Sequence, residues 1–395
     1  MNIGKFFRVN LKETGLADTP FGIGNSRLFI IVSMLVMFGL IMVFSATAIS
    51  SDPSLTPNYQ KFLRHLAHIG VSVFVMWAVS HVSIHWIQRY CKWLMGIGVV
   101  LLVLVLIPGV GVEINGSRRW INIGVATIQP AELTKILTII FFAAYLSRYR
   151  HAVHTLRIWK PYFLVLGLVC LLLLLQPDLG MVLVIGATVS IMLFMAGARL
   201  MHILYTGSLA IAAVAVLILA VDYRRERLFN YLDPFNDATG SGYQLVQSLI
   251  AIGRGEWFGV GLGNSIQKLF YLPFDENDFL IAIVGEEMGS VGIIAIILLF
   301  VALMWTAFQL AQKCWAEEGD MFCSVLAIGI GFQISFQSIV HVGVNIGLLP
   351  TTGLTLPFIS YGGSSMLSSM IGIGLLLAIE RHIRHCDQRA MGGYS

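Results

Sequence analysis

Apolar runs separated by short polar connections dominate this chain, and their length predicts membrane-spanning helices. A helix that crosses a bilayer needs about 20 mostly apolar residues. Ten runs approach or exceed this length: 28–48, 64–82, 93–109, 131–147, 161–176, 179–198, 202–221, 279–311, 322–348 and 364–381. The pattern therefore predicts an all-α polytopic integral membrane protein with about ten transmembrane helices. The first run exceeds the core of a signal peptide, so we expect it to be retained.

Composition excludes a soluble globular chain and gives no sign of a nucleic-acid partner. Hydrophobic residues make up 57% of the chain and charged residues 12%, whereas soluble domains carry about 25% charged residues. The net charge of +4 is small and dispersed. The five cysteines show no paired spacing, which argues against a disulfide framework or a zinc site.

The distribution of basic residues predicts the orientation. Most Lys and Arg residues lie in the two termini and in connections 83–92, 148–160, 199–201 and 312–321. Such residues mark the cytoplasmic side, so both termini are predicted to be cytoplasmic. The predicted organisation is a cytoplasmic segment 1–27, a ten-span membrane domain 28–381 and a cytoplasmic tail 382–395. Within the domain, 222–278 forms a long extracytoplasmic segment between spans seven and eight.

Acidic residues concentrate in the stretch 222–287, which holds ten of the 21 in the chain. Asp278 stands at the start of span eight, where it fits two interpretations: an N-cap of the helix or a general base at the membrane surface. Glu286 and Glu287 follow and, on a continuous helix, would lie about 12–13 Å deeper. Adjacent helical residues point in different directions, so we expect these two carboxylates to have separate surroundings.

Glu132 and Lys135 are three residues apart just after a proline, which places them on one face of a helix. They fit either an ion pair that anchors the helix end or a pair presented to a polar headgroup. The outer basic residues, among them Arg118, Arg119, Arg224 and Lys268, do not serve the positive-inside rule and suit an anion. Histidine pairs at helical spacing, such as His65 and His68, have no obvious third ligand, so interfacial anchoring is favoured over a metal site.

Six stretches in the predicted outer loops and span ends carry a family resemblance. They read NGSRRWI at 115–121, QPAELTK at 129–135, QPDLG at 176–180, GYQLVQSLIAIG at 242–253, GVGLGNSIQKLFYLP at 259–273 and VNIGLLPTTGLTLPFISYGGSS at 344–365. In these stretches the chain closely resembles the SEDS family (shape, elongation, division and sporulation proteins), and more its division-type than its elongation-type members. The likeness runs in order through all ten predicted spans.

The resemblance implies a peptidoglycan glycosyltransferase that polymerises lipid II at the septum of the bacterial inner membrane. It implies a class B penicillin-binding transpeptidase and other division proteins as partners. The family's catalytic Asp falls on Asp278, and its paired Glu and Lys fall on Glu132 and Lys135. The predicted substrate-binding residues are Arg118, Arg119, Asp178, Arg224, Gln244, Lys268, Ser360 and Ser364. No cofactor is required by the pattern, and a divalent cation is left open.

The resemblance fails in part at the predicted base. Family members usually read LPEAHTDF, whereas this chain reads LPFDENDF at 272–279, so Glu276 and Asn277 replace the His and Thr before Asp278. We expect Asp278 to deprotonate an acceptor hydroxyl and Lys135, with Arg118 or Arg119, to stabilise the departing diphosphate. Glu132 would orient Lys135. A lipid II flippase and a non-catalytic division scaffold are the alternatives.

Overall fold

The computed structural model is a bundle of long helices with one small sheet. It describes residues 27–47, 59–114, 117–124, 127–149, 159–219, 231, 234–235, 242–269, 271–272 and 276–392. The helices are α1 (Arg27–Thr47), α2 (Tyr59–Ser80), α3 (Ile84–Leu106), α4 (Pro130–Arg148), α5 (Trp159–Leu175), α6 (Leu179–Met195), α7 (Leu200–Leu219), α8 (Tyr243–Gly255), α9 (Leu280–Lys313), α10 (Met321–Asn345) and α11 (Gly363–Gly392). A π-helical turn, Cys314–Glu318, follows α9.

A helix covers each of the ten predicted spans, and the helical membrane architecture is confirmed. Within the described residues, seven helices are long and apolar enough to cross a membrane. Shorter apolar helices occupy the fifth and sixth predicted spans at Tyr162–Leu175 and Leu179–Met195, and α7 covers most of the seventh. The total of ten crossings stays a prediction. Helix α3 begins at Ile84, so most of the predicted loop 83–92 is helical.

The connection between α3 and α4 holds the sheet, which the all-helical prediction did not include. Strands β1 (Gly111–Ile114), β2 (Ser117–Asn122) and β3 (Thr127–Ile128) are antiparallel in the order β1-β2-β3. Glu113 is paired in register with Arg118, and their side chains form an ion pair of 3.0 Å. This hairpin directs the next residue, Arg119, towards the helix ends.

Helix α10 lies at the centre of the bundle. In its most apolar stretch 83% of the residues are buried, against 22% for α2. The helix begins where the carboxylate of Asp320 accepts hydrogen bonds from the backbone N–H groups of Phe322 and Cys323 at 2.9 and 3.2 Å, as an N-cap does. Helices α4, α6, α9 and α11 pack around α10. Polar side chains on α10 are therefore shielded from lipid.

Helix α9, which covers predicted span eight, is broken at Gly289, so the condition of a continuous helix is not met at this point. Gly289 has φ 68°, a left-handed conformation that glycine adopts without penalty. A methyl group there would lie 2.4 Å from the carbonyl oxygen of Trp257. The loop after α8 bonds to both sides of the break, with Val260 N–H donating to Glu286 O at 2.9 Å and Ser290 N–H donating to Glu256 O at 2.9 Å. The first part of α9 is thus a short helix that begins at Leu280, two residues after Asp278.

Candidate active site

A small cleft opens beside Asp278 where α8, α9 and α10 meet the loop that precedes α11. It is lined by Gln244 of α8, Asp278 and Phe279 at the start of α9, His341 and Val344 of α10, and loop residues 351–354. Its volume is about 40 Å³, space for about three water molecules. The cleft brings together two predicted site residues, Asp278 and Gln244, which are 34 positions apart in the chain.

The backbone that carries Asp278 is held from two sides. The side-chain amide of Asn345 donates to the carbonyl oxygen of Asp278 at 3.1 Å, and the Ser360 hydroxyl donates to the carbonyl oxygen of Asn277 at 2.7 Å. Phe279 occupies the N-cap position of α9, so Asp278 is not the capping residue. Ser360, predicted to bind substrate, instead contacts this backbone in the structure.

Arg119 and Asp178 lie next to the loop 351–354 that lines the cleft. The guanidinium of Arg119 donates to the carbonyl oxygens of Gln176 (3.1 Å) and Pro177, and its Nη1 lies 3.9 Å from Oδ2 of Asp178. Asp178 caps α6 by accepting from Met181 N–H at 3.2 Å. Burial raises the pKa of Asp178, and the Arg119 guanidinium opposes that shift. The pair joins the α5–α6 reversal to β2, the central strand of the sheet.

Gly353 separates Arg119 from Asp278. A methyl group built on Gly353 would lie 3.7 Å from Oδ2 of Asp278 and 3.8 Å from Nη1 of Arg119. A carboxylate and a guanidinium therefore flank one glycine at the edge of the cleft. This is the arrangement expected where a proton is removed at one point and negative charge develops at another.

Glu132 and Lys135 form an ion pair that is closed off from the cleft. Lys135 Nζ lies 2.5 Å from Glu132 Oε2, and the two side chains are 0% and 2% exposed. Lys135 also donates to Gln337 Oε1 at 2.7 Å, and Ser368 donates to Glu132 at 2.7 Å. Gln337 in turn donates to the carbonyl oxygen of Thr355 at 2.9 Å. The pair therefore supports the loop that lines the cleft, and Lys135 has no exposed surface with which to meet a diphosphate.

Glu286 and Glu287 have separate partners, as expected for neighbours on a helix. Glu287 pairs with Lys268 at 2.8 Å and accepts from Ser45 at 2.8 Å. Glu286 pairs with Arg254 at 2.6 Å. Lys268, predicted to contact substrate, is 4% exposed. It belongs to the ion pair with Glu287, next to the break in α9.

The remaining predicted residues lie around the cleft or outside the described part of the chain. Ser364 accepts a hydrogen bond from Gln129 N–H at 2.9 Å and so joins the start of α11 to the start of α4. Arg118 belongs to the sheet through its ion pair with Glu113. Arg224 lies outside the described residues. In the part of the chain that the structure describes, no three His, Cys, Asp or Glu side chains form a group that could hold a metal ion.

The sequence carried a signal on α10 that pointed to further site residues. Gln333, Gln337, His341 and Asn345 recur at every fourth position, which places them on one face of the helix. All four are no more than 1% exposed. We name this row the α10 polar row. It runs from the Glu132–Lys135 pair to the backbone of Asp278, and polar residues so regularly spaced in an apolar helix mark a functional or structural path.

Comparison with known proteins identifies related sequences and structures. Residues 26–385 match the family described as cell cycle proteins, FtsW, RodA and SpoVE. The chain belongs to this family. It is 42% identical over 353 residues, 89% of this chain and 88% of the relative, to a protein from Thioalkalivibrio sulfidiphilus named probable peptidoglycan glycosyltransferase FtsW. It is 41% identical over 362 residues, 91% of this chain and 97% of the relative, to stage V sporulation protein E of Bacillus subtilis.

Solved structures of family members share the fold. One chain, from a structure described as coordination of polymerization and crosslinking by a peptidoglycan synthase complex, has a TM-score of 0.73 and 31% identity, with 90% of this chain and 97% of that chain covered. The Thermus thermophilus rod shape determining protein RodA has a TM-score of 0.64 and 28% identity, with 90% and 95% covered. The family assignment and the apolar helices agree that this is a multi-pass membrane protein.

Proposed function

We propose that this chain is a peptidoglycan glycosyltransferase that polymerises lipid II, with Asp278 as the general base. The observation that carries the proposal is the cleft beside Asp278, with the guanidinium of Arg119 across Gly353. Relatives at 42% identity bear the name of that activity. Asp278, Gln244 and Arg119 come from three separate parts of the chain and meet at one end of the bundle.

The reaction joins two lipid-linked saccharides. The acceptor hydroxyl gives its proton to Asp278, and its oxygen forms a bond to the anomeric carbon of the donor. The bond from that carbon to the diphosphate oxygen breaks on the opposite face, so the configuration inverts and the diphosphate leaves with the electron pair. A cleft of about 40 Å³ cannot enclose a disaccharide. It admits one edge of the acceptor sugar, so the chemistry takes place at its opening.

Charge stabilisation of the leaving diphosphate falls to Arg119. Its side chain is 15% exposed, and an arginine suits bidentate contact with phosphate oxygens. Lys135, which was predicted from the sequence to stabilise the diphosphate, is 0% exposed. We assign Lys135 and Glu132 the task of fixing the 351–355 loop through Gln337.

The remaining features of the proposal follow the family. We place the enzyme in the bacterial inner membrane at the division septum, with 1–27 and 382–395 cytoplasmic and 222–278 outside. The structural relative described as part of a peptidoglycan synthase complex that coordinates polymerization and crosslinking supports a partner that crosslinks glycan strands, and we infer a class B penicillin-binding transpeptidase. Because both lipids move in the membrane plane, grooves between helices would guide them to the cleft.

Purified full-length protein, reconstituted with lipid II in liposomes together with the partner transpeptidase, tests the assignment of Asp278. We expect Asp278→Asn to abolish glycan polymerisation while its thermal stability and partner binding persist. The matched control is Asp320→Asn at the other end of α10. Asparagine caps helices as well as aspartate does, so this variant should polymerise normally. Polymerisation by Asp278→Asn at the wild-type rate would remove Asp278 from the mechanism.

One observation favours the flippase alternative enough to require a test. The α10 polar row passes through the interior of the bundle, and buried polar side chains in a membrane protein often mark a path. Its members bond to one another and to the backbone, for example Gln333 to Gln337 at 2.9 Å, so the row is occupied by protein. A fluorescent lipid II flipping assay in liposomes should show no transport above that of protein-free vesicles. A scaffold role predicts instead that division fails in loop variants whose polymerisation is unchanged.

A further inference from the structure

His341 stands in the wall of the Asp278 cleft, although the sequence motifs do not single it out. It belongs to the α10 polar row, one helical turn before Asn345, and is 1% exposed. Its ring lines the cleft together with Asp278 and Gln244. Its Nε2 faces the carbonyl oxygen of Asn277 at 3.5 Å, a long contact. The ring is therefore next to the residue that precedes the proposed base.

This contact favours the tautomer of the imidazole that carries its hydrogen on Nε2. A carbonyl oxygen offers only lone pairs, so the nitrogen that faces it must carry the hydrogen. In a neutral ring Nδ1 is then an acceptor with a free lone pair. His341 Nδ1 is buried and has no hydrogen-bond partner among the described residues. Buried polar atoms are nearly always paired in folded proteins, and His341 lines the cleft, so we take the missing partner of this nitrogen to be a group that binds there.

Two neighbouring side chains show the same deficit of donors. The amide nitrogen of Asn345 donates to the carbonyl oxygens of Asp278 and His341 at 3.1 and 2.9 Å, which assigns its Oδ1 as an acceptor. That oxygen and Oδ1 of Asn277 are buried without a partner in the described part of the chain. Both oxygens lie behind the wall of the cleft, on residues that contact His341 or the backbone of Asp278. A hydroxyl-bearing group brings the donor that Nδ1 of His341 lacks, whereas a diphosphate offers no donor.

We propose that His341 is a further substrate-positioning residue, whose Nδ1 accepts a hydrogen bond from a hydroxyl of the acceptor saccharide. This inference rests on the proposed glycosyltransferase activity. It adds that the cleft binds the acceptor and not the donor saccharide. The acceptor sugar lies on the Asp278–His341 side, and the donor's diphosphate lies towards Arg119. A hydroxyl held by His341 orients the adjacent nucleophilic hydroxyl, so that its proton points to Asp278.

The first test replaces the imidazole while keeping its volume. His341→Phe has no acceptor and is expected to lower kcat/KM for lipid II about tenfold, whereas His341→Gln, whose Oε1 can accept, is expected to recover part of the loss. The matched control is His65→Phe, because His65 is equally buried in α2, at 0% exposure, and does not line the cleft. The control should keep the wild-type kcat/KM.

A second measurement separates positioning from structural support. Lipid II analogues that lack one of the non-nucleophilic hydroxyls of the acceptor sugar are compared on wild type, His341→Phe and His341→Gln. For wild type, kcat/KM should be about tenfold lower with one analogue than with lipid II. For His341→Phe, the same analogue should lower kcat/KM no further, because the partner of the hydroxyl is already absent. If His341→Phe does not fold, His341→Leu, which also lacks an acceptor, takes its place in the comparison.

The outcomes distinguish the two proposals. If wild type polymerises, Asp278→Asn is inactive and every His341 variant matches wild type, then His341 has no positioning role while the proposed function stands. If Asp278→Asn is fully active, the assignment of Asp278 as the general base fails whatever the His341 variants do, and if wild type with its partner does not polymerise lipid II, the proposed function fails. If every analogue lowers kcat/KM by the same factor for wild type and for the His341 variants, the hydroxyl contact is absent and the inference is overturned.

Discussion

Breaking the Glu132–Lys135 pair gives the sharpest test of how the buried charges work. The two charges are 2.5 Å apart, with 0% and 2% of their side chains exposed. At an effective dielectric constant of about 20 their attraction is about 6–7 kcal/mol, which offsets the cost of removing both from water. Removing one partner leaves the other charge buried without compensation. Glu132→Gln and Lys135→Met should therefore each lower the free energy of unfolding by about 3–5 kcal/mol.

The double variant should recover most of that loss. In Glu132→Gln/Lys135→Met no charge is left unpaired, and a glutamine at 132 can still accept from the Ser368 hydroxyl. Gln337 Oε1, which loses Lys135, still accepts from Gln333 at 2.9 Å. We expect the double variant to lie within about 1–2 kcal/mol of wild type. The coupling between the two sites should thus be several kcal/mol.

Thermal unfolding in detergent, read by tryptophan fluorescence or by loss of monodisperse protein, measures this. With about 2.1 cal/mol/K per residue over 395 residues, each single variant should lower the Tm by about 4–6 °C. Helices that persist in the unfolded state reduce the entropy of unfolding and make the shift larger. A double variant destabilised by the sum of the two single losses would refute the reasoning.

The same double variant distinguishes support from catalysis. Because Lys135 has no exposed surface, its loss should act only through the 351–355 loop. We expect the double variant to retain polymerisation within about tenfold of wild type, whereas Asp278→Asn has none. A stable double variant with no activity would restore Lys135 to the leaving-group role that the sequence suggested.

Two further substitutions probe the cleft and the ion pairs beside it. Gly353→Ala places a methyl group 3.7 Å from the Asp278 carboxylate, on a residue with φ 70°. We expect the rate of polymerisation to fall, with a loss of stability of only about 1–2 kcal/mol. Full activity in the same liposome assay would contradict this. Lys268→Met leaves Glu287 buried and should cost about 3–5 kcal/mol. Arg254→Met should cost about 1 kcal/mol in thermal unfolding, because Arg254 is 40% exposed and Glu286 keeps its hydrogen bonds from the backbone N–H groups of Ile266 and Gln267. Equal losses of stability in Lys268→Met and Arg254→Met would contradict this difference between the two ion pairs.

The sequence by itself determined the helices and several of their ends. The apolar runs predicted a helix at each of ten places because bilayer thickness sets a length that can be counted along the chain. The proline before Glu132 and the reversal at Asp178 marked where helices begin, and α4 and α6 begin there. The spacing of Glu132 and Lys135 predicted that they share a face, and they form a pair. These are local properties, governed by neighbours within a few residues.

The tertiary structure decided which of these polar residues meet. It placed Asp278 beside Gln244 and His341, turned Lys268 towards Glu287, and broke α9 at Gly289, where the loop after α8 leaves no room for a side chain. The four-residue spacing on α10 was visible in the sequence, but its partners on α4, the segment before α9 and the 355 loop were not. Periodicity gives the face of a helix on which a residue lies. Only the packing of that face against other helices decides whether the residue ends as a buried ion pair, a support for the backbone or a wall of the cleft.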